Sequence, residues 1–325
     1  MTLLATTAAQ AAEKRNLIID TDPGADDVVA LLLAMASPEQ LNLLAITTVA
    51  GNVRIDKTSR NACLAREWAG REEVPVYAGA GKPLVRPPIY AEHIHGNEGL
   101  PGVAVHEPGK GLADGSAVQY LIETLSKAEP HSITVAMLGP QTNLALALIQ
   151  QPDIVQGIKE VVVMAGAHFN GGNITPVAEF NVYVDPDAAK VVLASGVKLT
   201  YVPLDVTHKI LTSEARLRQI EALNNHAGTL VGAILNAYVK ADMLHYGLPG
   251  GPIHDASVIA WLLKPELFSG KAIHVAIDNR EGVGLGQTVA DWYGKLKQDS
   301  NVFWIDDGDA QGFFDLLTER LARLA

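Results

Sequence analysis

Four carboxylates stand within eight residues near the start of the chain, in the run Asp20-Thr21-Asp22-Pro23-Gly24-Ala25-Asp26-Asp27. Four like charges this close repel one another, and hard cations such as calcium or magnesium relieve that repulsion through carboxylate oxygens. Helix capping is the alternative, because carboxylates in a first helical turn satisfy free backbone N–H groups. Capping explains one or two of the four. The run therefore predicts a metal site.

A phosphotransferase of the Asp-x-Asp type is another interpretation of this run, since Asp20 and Asp22 end a predicted strand with one residue between them. In aspartyl-phosphate enzymes a hydroxyl residue normally follows two positions after the second Asp. Here Gly24 stands at that position. No later Lys and Asp-Asp strand end convincingly completes such a site.

The elements that position these carboxylates are short apolar runs rich in Val, Ile and Leu, which alternate with segments of helical period. Strands are predicted at residues 16–20, 43–49, 74–78, 133–138, 160–164 and 198–204. Helices are predicted at residues 26–36, 55–68, 116–128, 142–150 and 186–195. The pattern predicts an α/β fold with a mostly parallel, open, Rossmann-like central sheet flanked by helices. Ligands bind at the carboxyl edge of such sheets, where the acidic run lies.

The pattern changes after residue 204. Helices at residues 213–223, 226–242 and 255–263, followed by strand-like segments at 272–277 and 286–293, predict a C-terminal helical and β cap. Residues 82–115 are rich in Gly, Pro and His without a period, which is typical of a long functional loop. Residues 1–14 are interpreted as a disordered lead-in, and residues 15–325 as a single domain.

Composition limits the possible partners. Of 325 residues, 48% are hydrophobic and 19% are charged, as in a globular protein with a packed core. The net charge of -11, without a basic stripe, argues against nucleic-acid polymers but leaves neutral small molecules and metal cations open. Cys63 is the only cysteine and is expected to be buried in the helix at residues 55–68, so no internal disulfide is possible.

Targeting signals are weak. The longest apolar runs are shorter than the roughly 20 residues that a membrane span needs. The first twelve residues are rich in small side chains but lack a basic start. A cytoplasmic protein without membrane contact is therefore expected, with a trimmed export signal as the alternative.

Residues 20–31, DTDPGADDVVAL, resemble the signature of the inosine-uridine-preferring nucleoside hydrolases. Further segments follow in the order of that family: ITTVAGN at 46–52, HGNEGL at 95–100, LGPQTN at 138–143, VVVMAG at 161–166, AEFN at 178–181, then Asp185-Pro186 and His254-Asp255. Together they cover nearly the whole chain from Asn16 onward. The resemblance implies an enzyme that hydrolyses the N-glycosidic bond of ribonucleosides to ribose and free base.

The resemblance also implies a calcium site. Asp22, Asp27 and Asp255 resemble its side-chain ligands, and the backbone carbonyl of Leu138 resembles a further ligand, which suits an ion that takes six to eight oxygens. In the family the 2′- and 3′-hydroxyls of the sugar complete the coordination, so the ion orients the substrate and holds the attacking water. Asp22 resembles the general base that accepts a proton from this water.

Ribose contacts are implied as well. Asp26 resembles the residue bonded to the 2′-hydroxyl, and Asn181 the residue near the 3′-hydroxyl. Asn173 and Glu179 resemble the contacts near the 5′-hydroxyl. Without the resemblance, a Glu and two Asn after a strand would be ordinary turn residues. Three more residues are expected to line the same pocket, namely Asn52, His95 and Met164.

His254 is the implied leaving-group acid. A lone His at a helix start is more often a surface or capping residue. Base-nonspecific relatives, however, use an imidazole at this position to protonate the departing base, whereas purine-specific relatives carry an aromatic residue. The resemblance therefore favours a base-nonspecific, inosine/uridine-type enzyme.

Residues 238–251 are expected to form a flexible flap over the base, because they contain Gly and Pro and precede His254. Tyr238 matches a family aromatic, with packing in a helix core as the alternative. Asp242 stands where some relatives have a second Tyr, which leaves the base preference open.

A non-catalytic nucleoside- or ribose-binding protein could share the fold and the ribose contacts. It would not need Asp22 or His254, so their presence favours the hydrolase. Members of the family are usually dimers or tetramers, and the resemblance implies a homodimer or homotetramer here.

Overall fold

The computed structural model describes residues 14–324, apart from the side chains of residues 241, 242 and 244–246. Residues 1–13 of the lead-in expected at 1–14, and the side chain of Asp242, therefore lie outside the described residues. No helix within residues 14–324 is both long enough and apolar enough to cross a membrane.

Eleven strands are present in the described chain, and nine of them form one sheet. They are β1 (Arg15–Thr21), β2 (Leu41–Thr48), β3 (Val76–Ala78), β4 (Ile133–Met137), β5 (Ile158–Met164), β6 (Leu199–Val202), β7 (Leu211–Thr212), β8 (Gly251–Pro252), β9 (Phe268–Ile277), β10 (Thr288–Asp291) and β11 (Val302–Gly308). The order in the large sheet is β10-β9-β11-β6-β5-β4-β1-β2-β3, and β7 pairs with β8 separately.

The large sheet is mostly parallel, as the sequence predicts. The seven neighbouring strands β11-β6-β5-β4-β1-β2-β3 pair in parallel. β9, by contrast, is antiparallel to both β11 and β10. The chain runs from β1 outward to β2 and β3, and then returns to place β4 on the other side of β1. This reversal leaves a crevice at the carboxyl ends of β1 and β4, where ligands bind in open α/β sheets.

Twelve helices connect the strands in the described chain. They are α1 (Ala25–Met35), α2 (Ile55–Trp68), α3 (Glu92–His95), α4 (Ala117–Lys127), α5 (Thr142–Gln150), α6 (Phe180–Val184), α7 (Pro186–Leu193), α8 (Leu204–Thr207), α9 (Glu214–Glu221), α10 (His226–Tyr246), α11 (His254–Leu263) and α12 (Ala310–Leu321).

The helices form a layer on each face of the sheet, with one hydrophobic core per face. One core contains α1, α2, α10, α11 and α12, and the other contains α4, α5 and α7. Every residue of α1 is buried, because α10, α11 and α12 cover its outer side. A helix enclosed on all sides explains why its sequence is apolar all round. Cys63 is buried in α2, as expected.

The C-terminal third differs in part from the expected layout. Its helices α10 to α12 do form an outer layer over α1, but its strands β9 and β10 extend the central sheet. They reach the sheet because β11 pairs with β6 and offers its other edge to β9. The sequence interpretation assigned no element to β11 or α12.

The expected flap at residues 238–251 is a helix over most of its length. α10 continues to Tyr246 and ends at Gly247, whose φ of 66° lies in the left-handed region that glycine adopts without strain. Glycine and proline are confined to residues 247–252, so nothing earlier in the segment interrupts the helix. The loop at residues 82–115 is irregular apart from α3.

Candidate active site

Three buried carboxylates meet at the carboxyl edge of the sheet. Asp26, Asp27 and Asp255 each offer an oxygen, and these oxygens all lie within 4.8 Å of one another. Asp26 and Asp27 occupy the first turn of α1, whereas Asp255 occupies the first turn of α11. The backbone N–H of Asp255 is 3.4 Å from Oδ2 of Asp26. Two helix N-termini thus converge on one acidic cluster, where their dipoles favour negative charge.

Asp27 is held by donors from three directions. Its Oδ2 accepts hydrogen bonds from the backbone N–H of Gly24 and the side-chain amide of Asn52, both at 2.9 Å. Its Oδ1 accepts a hydrogen bond from the hydroxyl of Thr21. The bond from Gly24 is a helix cap, so capping and a possible ligand role coexist in this one residue. Capping of α1 does not account for Asp255, which stands at the start of another helix and yet lies beside Asp27.

Asp22 is enclosed beside this cluster. Its Oδ2 accepts a 2.7 Å hydrogen bond from the backbone N–H of Asn52, whereas its buried Oδ1 has no hydrogen-bond partner among the described residues. A Cβ at Gly51 or Gly139 would approach the two carboxylate oxygens to 2.1 and 2.2 Å, so only glycine fits at both positions. A buried acceptor without a partner calls for an explanation, and an unseen ion or water is the usual one.

Burial perturbs the ionisation of these acids. It raises the pKa of Asp22 well above its usual value, and the negative charge of Asp27 raises it further. The pKa of Asp255 is likewise raised well above its usual value, by burial and by Asp26, Asp27 and Asp22. Burial also raises the pKa of Asp27. Cations reverse this effect, since an opposite charge favours the ionised carboxylate.

A further buried acid, Asp20, lies in β1. Its Oδ1 accepts hydrogen bonds from the hydroxyl of Thr47 and from the Asn143 amide at 2.7 Å, yet burial raises its pKa to about 7. Asn143 also donates to the carbonyl of Thr48 over 2.9 Å. Asn143 thereby joins the ends of β1 and β2 to α5. Sequence reasoning assigned it no role, although the segment LGPQTN that contains it was noted.

Asn181 links the ends of β4 and β5. Its side-chain amide donates to the carbonyl of Leu138 over 2.7 Å and to the carbonyl of Met164 over 3.1 Å. A carbonyl oxygen has two lone pairs, so Leu138 retains one for another contact. The structure thus brings together three residues that the resemblance associates with the site.

Glu179 is buried under the same pocket. Its carboxylate accepts hydrogen bonds from the backbone N–H groups of Asn181 at 2.7 Å and of Gly166 and Val182 at 3.2 Å. Burial nevertheless raises its pKa to about 7. The side chain of Asn173 accepts a 2.8 Å hydrogen bond from the N–H of Phe180, which fixes its orientation. Both side chains are therefore held rigidly.

His254 opens α11 next to Asp255. Its Nδ1 lies 2.8 Å from the hydroxyl of Thr207, and its ring centroid lies 5.8 Å from that of His208. Burial lowers the pKa of His254 well below its usual value, and the imidazoles of His208 and His95 add to this. Thr207 and His208 were missed from the sequence, because the short helix α8 that carries Thr207 has no periodic pattern.

His95 and Tyr238 form one wall of the pocket. Their rings stack with centroids 5.4 Å apart. Nδ1 of His95 accepts a 3.1 Å hydrogen bond from the N–H of Ala25, and burial lowers the His95 pKa to about 3, so the ring is neutral with its proton on Nε2. Tyr238 is 2% exposed, which means that it both packs in the core and lines the pocket.

Most of the expected site residues line one pocket. It is lined by Asp26, Asn52, His95, Leu138, Met164, Asn173, Glu179, Asn181, Tyr238, His254 and Asp255, while Asp22 and Asp27 lie beneath its floor. Sequence reasoning missed the remaining lining residues, which are mostly apolar: Ala91, His93, Ile94, Ile174 and Phe180. An acidic floor with partly apolar walls suits a polar sugar attached to a flat base.

Comparison with known proteins identifies the family. Residues 17–315 match the family described as inosine-uridine preferring nucleoside hydrolase. An uncharacterised protein of Schizosaccharomyces pombe is 46% identical over 309 residues, which cover 95% of this chain and 99% of that protein. The pyrimidine-specific ribonucleoside hydrolase RihA of Salmonella schwarzengrund is 42% identical over 306 residues, with coverage of 94% and 97%.

Solved structures agree with this assignment. The purine-preferring ribonucleoside hydrolase of Gardnerella vaginalis superimposes with a TM-score of 0.87 at 30% identity, covering 95% of this chain and 98% of that one. The family match replaces the phosphotransferase and binding-protein alternatives. The chain therefore belongs to the inosine-uridine preferring nucleoside hydrolase family and is an enzyme that hydrolyses ribonucleosides to ribose and free base.

Proposed function

We propose that this enzyme is a calcium-dependent, base-nonspecific nucleoside hydrolase in which Asp22 is the general base and His254 the leaving-group acid. The observation that carries the proposal is the cluster of buried carboxylates at the starts of α1 and α11, with Asp22 beside it, whose Oδ1 has no hydrogen-bond partner among the described residues. So much buried negative charge is stable only with a cation or with bound protons.

Oxygen ligands favour calcium. Asp22, Asp27, Asp255 and the carbonyl of Leu138 would hold the ion, and all four offer the hard oxygen atoms that calcium prefers. When bound, calcium supplies positive charge that orients the ribose hydroxyls and lowers the pKa of a coordinated water. Asp26 is the proposed contact of the 2′-hydroxyl, because its side chain belongs to the acidic cluster and also lines the pocket.

Asp22 is suited to accept a proton through one oxygen. Its Oδ2 already accepts from Asn52, so Oδ1 is the oxygen that can take a proton from water. Burial raises its pKa and a neighbouring cation opposes this rise, which keeps the carboxylate ionised and able to accept a proton. The glycines at positions 51 and 139 enclose it and limit its movement.

The ribose-binding groups stabilise developing positive charge on the sugar. Cleavage of an N-glycosidic bond passes through an oxocarbenium-like state, and carboxylates near the ring attract that charge. Asp26, Asn173, Glu179 and Asn181 are the proposed contacts, with Asn173 and Glu179 at the 5′-hydroxyl. Hydrogen bonds between side chain and backbone hold Asn173, Glu179 and Asn181 in place before substrate arrives.

His254 is the proposed donor to the departing base. The hydroxyl of Thr207 can donate to Nδ1, which leaves the proton of the neutral ring on Nε2. Because the His254 pKa is lowered, the doubly protonated ring is scarce at neutral pH. Acid catalysis by this residue therefore predicts faster turnover of poor leaving groups as the pH falls.

Base-nonspecific activity is supported by the polar imidazole in the pocket. The relatives differ in preference, since RihA is named pyrimidine-specific and the Gardnerella enzyme purine-preferring. We also propose that residues 15–325 form a single catalytic domain, because β11 near the C-terminus pairs with β6 in the sheet that contains β1. We further propose that the enzyme is cytoplasmic and forms a homodimer or homotetramer.

The proposal is tested by measuring reducing-sugar release from inosine, uridine and cytidine. The enzyme is assayed after chelation and dialysis, and again after addition of calcium or magnesium. We expect turnover of all three nucleosides, lost on chelation and restored best by calcium. Full turnover by the metal-free enzyme would contradict the metal role, and turnover of inosine alone would contradict the proposed base range.

A further inference from the structure

A basic pocket lies at the amino-terminal edge of the central sheet, at the other end of the strands from the acidic cluster. β1, β4 and β5 begin there, and the pocket encloses about 380 Å³. Lys14, Arg15, Lys159 and the imidazole of His131 line it, and no carboxylate among the described residues does. In a chain of net charge -11 this is a local reversal of sign, which attracts anions.

Two of these cations are available for a ligand. Lys14 and Lys159 are exposed, and neither has an ion-pair or hydrogen-bond partner for its ammonium group within residues 14–324. Lys159 is the second residue of β5, next to β4, and Lys14 immediately precedes β1 on the other side of β4. The sheet therefore fixes the backbones of both residues at the rim of one pocket.

The third cation, Arg15, is positioned by neighbouring side chains that do not cancel the positive charge of the pocket. Arg15 donates to the hydroxyl of Thr134 over 3.2 Å and forms an ion pair with Glu160. Glu160 is also 3.2 Å from the ammonium group of Lys198, so its single negative charge is shared by two cations. The charges of Lys14 and Lys159 remain uncompensated.

His131 is held in a fixed orientation. Its backbone adopts φ of 53° and its N–H donates to the carbonyl of Gln156 over 2.7 Å. Its Nδ1 lies 3.2 Å from the carbonyl of Ile158. A carbonyl only accepts, so Nδ1 carries the proton and Nε2 is left for another partner. Neutral polar groups complete the lining, namely Asn16, Gln40 and Ser132.

We propose that this pocket binds a phosphate monoester of a small metabolite, either a nucleotide or a sugar phosphate. A dianionic phosphoryl group matches the two uncompensated ammonium groups, and charge-assisted hydrogen bonds to phosphate are strong. The pocket volume falls within the roughly 300 to 1,000 Å³ of small-molecule sites, which leaves room for a sugar beside the phosphate. The proposal is independent of the hydrolytic reaction.

Calorimetry on the 325-residue enzyme tests whether this pocket binds a phosphate monoester. The protein is first freed of metal and dialysed, so that no cation in the catalytic pocket recruits phosphate. Inorganic phosphate, ribose 5-phosphate and AMP are then titrated at low salt. We expect saturable binding of at least one ester, weakened about tenfold by Lys159→Ala and by Lys14→Ala, since each removes a charged donor.

Lys198→Ala is the matched control. It removes one positive charge from the same sheet edge, but Lys198 does not line the pocket, so affinity should change by less than about twofold. Tighter binding of AMP assigns a nucleotide, and tighter binding of ribose 5-phosphate assigns a sugar phosphate. The proposal is overturned if neither ester binds saturably, if only inorganic phosphate binds, or if Lys198→Ala weakens binding as much as Lys159→Ala.

Discussion

The backbone N–H of Asn52 donates to Oδ2 of Asp22 over 2.7 Å, and the side-chain amide of Asn52 donates to Oδ2 of Asp27 over 2.9 Å. One residue just beyond β2 thus orients two carboxylates that come from the β1–α1 junction. Because both bonds engage Oδ2 atoms, they determine which oxygen of Asp22 is left for chemistry. The first prediction concerns that oxygen.

Asp22→Asn should abolish most turnover without unfolding the protein. The amide keeps the shape and the bond from Asn52 but cannot accept a proton from water, so kcat for inosine should fall by roughly 10² to 10⁴. Removing a buried charge should leave the melting temperature in chelator unchanged or higher. Asp153→Asn, a change at an exposed acid, is the control. Retained turnover in Asp22→Asn would remove this residue from the reaction.

Asp255→Asn should weaken calcium binding far more than it weakens folding. The variant removes one charged ligand from a cluster whose oxygens lie within 4.8 Å of one another. Calorimetry of the metal-free protein with calcium should show an affinity loss of at least tenfold, accompanied by loss of activity at low calcium. Saturating calcium should restore part of that activity. Wild-type calcium affinity in this variant would exclude Asp255 as a ligand.

Gly139→Ala tests the enclosure of Asp22. A Cβ at this position would come within 2.2 Å of Oδ1 of Asp22, so the carboxylate must move away. We expect a loss of kcat of at least tenfold, comparable with other displacements of catalytic groups. Gly111→Ala is the matched control, because nothing lies within 4 Å of its added methyl group. Equal activities of the two variants would show that the position of Asp22 is not critical.

These site residues differ in how far the sequence could specify them. The run from Asp20 to Asp27 was predictable because it joins a strand to a helix, which places it at the carboxyl edge of the sheet. The contact of Asp255 with Asp26 was not, since it depends on α11 packing against α1 more than two hundred residues away. Only the family resemblance brought Asp255 into the predicted site.

Three other features of the structure have no recognisable pattern in the local sequence. Thr207 meets His254 through a four-residue helix, which is too short for a period. β11 was missed because its apolar residues are followed by Asp306 and Asp307, which break the pattern of a buried strand. The sequence predicts a flap where α10 in fact continues to Tyr246, because the Gly and Pro residues of this segment all lie beyond the helix. In each case tertiary packing, and not local sequence, decides the structure.

The metal-free enzyme should lose stability as the pH rises from about 4 to about 7. Burial raises the pKa of Glu179 from 4.5 to about 7, so within this window the folded state keeps a proton that the unfolded state has lost. Below the window the group is protonated in both states and costs nothing. At 1.36 kcal/mol per pKa unit, the free energy of unfolding lost through Glu179 alone is roughly 3 kcal/mol.

Urea unfolding in calcium-free buffer at pH 5, 6, 7 and 8 measures this dependence. Glu179→Gln should flatten the curve, because the amide does not titrate. A residual slope should remain from Asp20, whose pKa is also raised to about 7, and from Asp22, Asp27 and Asp255, whose pKa values are raised as well. Stability that rises through the window to the same extent in both proteins would contradict the assigned direction.

The last prediction distinguishes the proposed acid, His254, from the proposed base, Asp22, by comparing substrates with different leaving groups. A positioned general acid contributes roughly 10² to 10⁴ in rate. His254→Ala should therefore slow the hydrolysis of inosine and uridine by about this factor. It should spare p-nitrophenyl riboside, whose leaving group departs as a stable anion and needs no proton. Asp22→Asn should slow all three substrates alike, because water must be activated in each case.

Thr207→Val completes this test, since the hydroxyl of Thr207 is the partner of Nδ1 of His254. Without it the doubly protonated ring loses the acceptor of its Nδ1 proton, so the form that can donate from Nε2 becomes scarcer. The variant should slow inosine by a smaller factor than His254→Ala does and should also spare p-nitrophenyl riboside. If His254→Ala slows p-nitrophenyl riboside as much as inosine, the imidazole does not act as the acid. It would then act by positioning its neighbour Asp255, and calcium affinity should fall in the same variant.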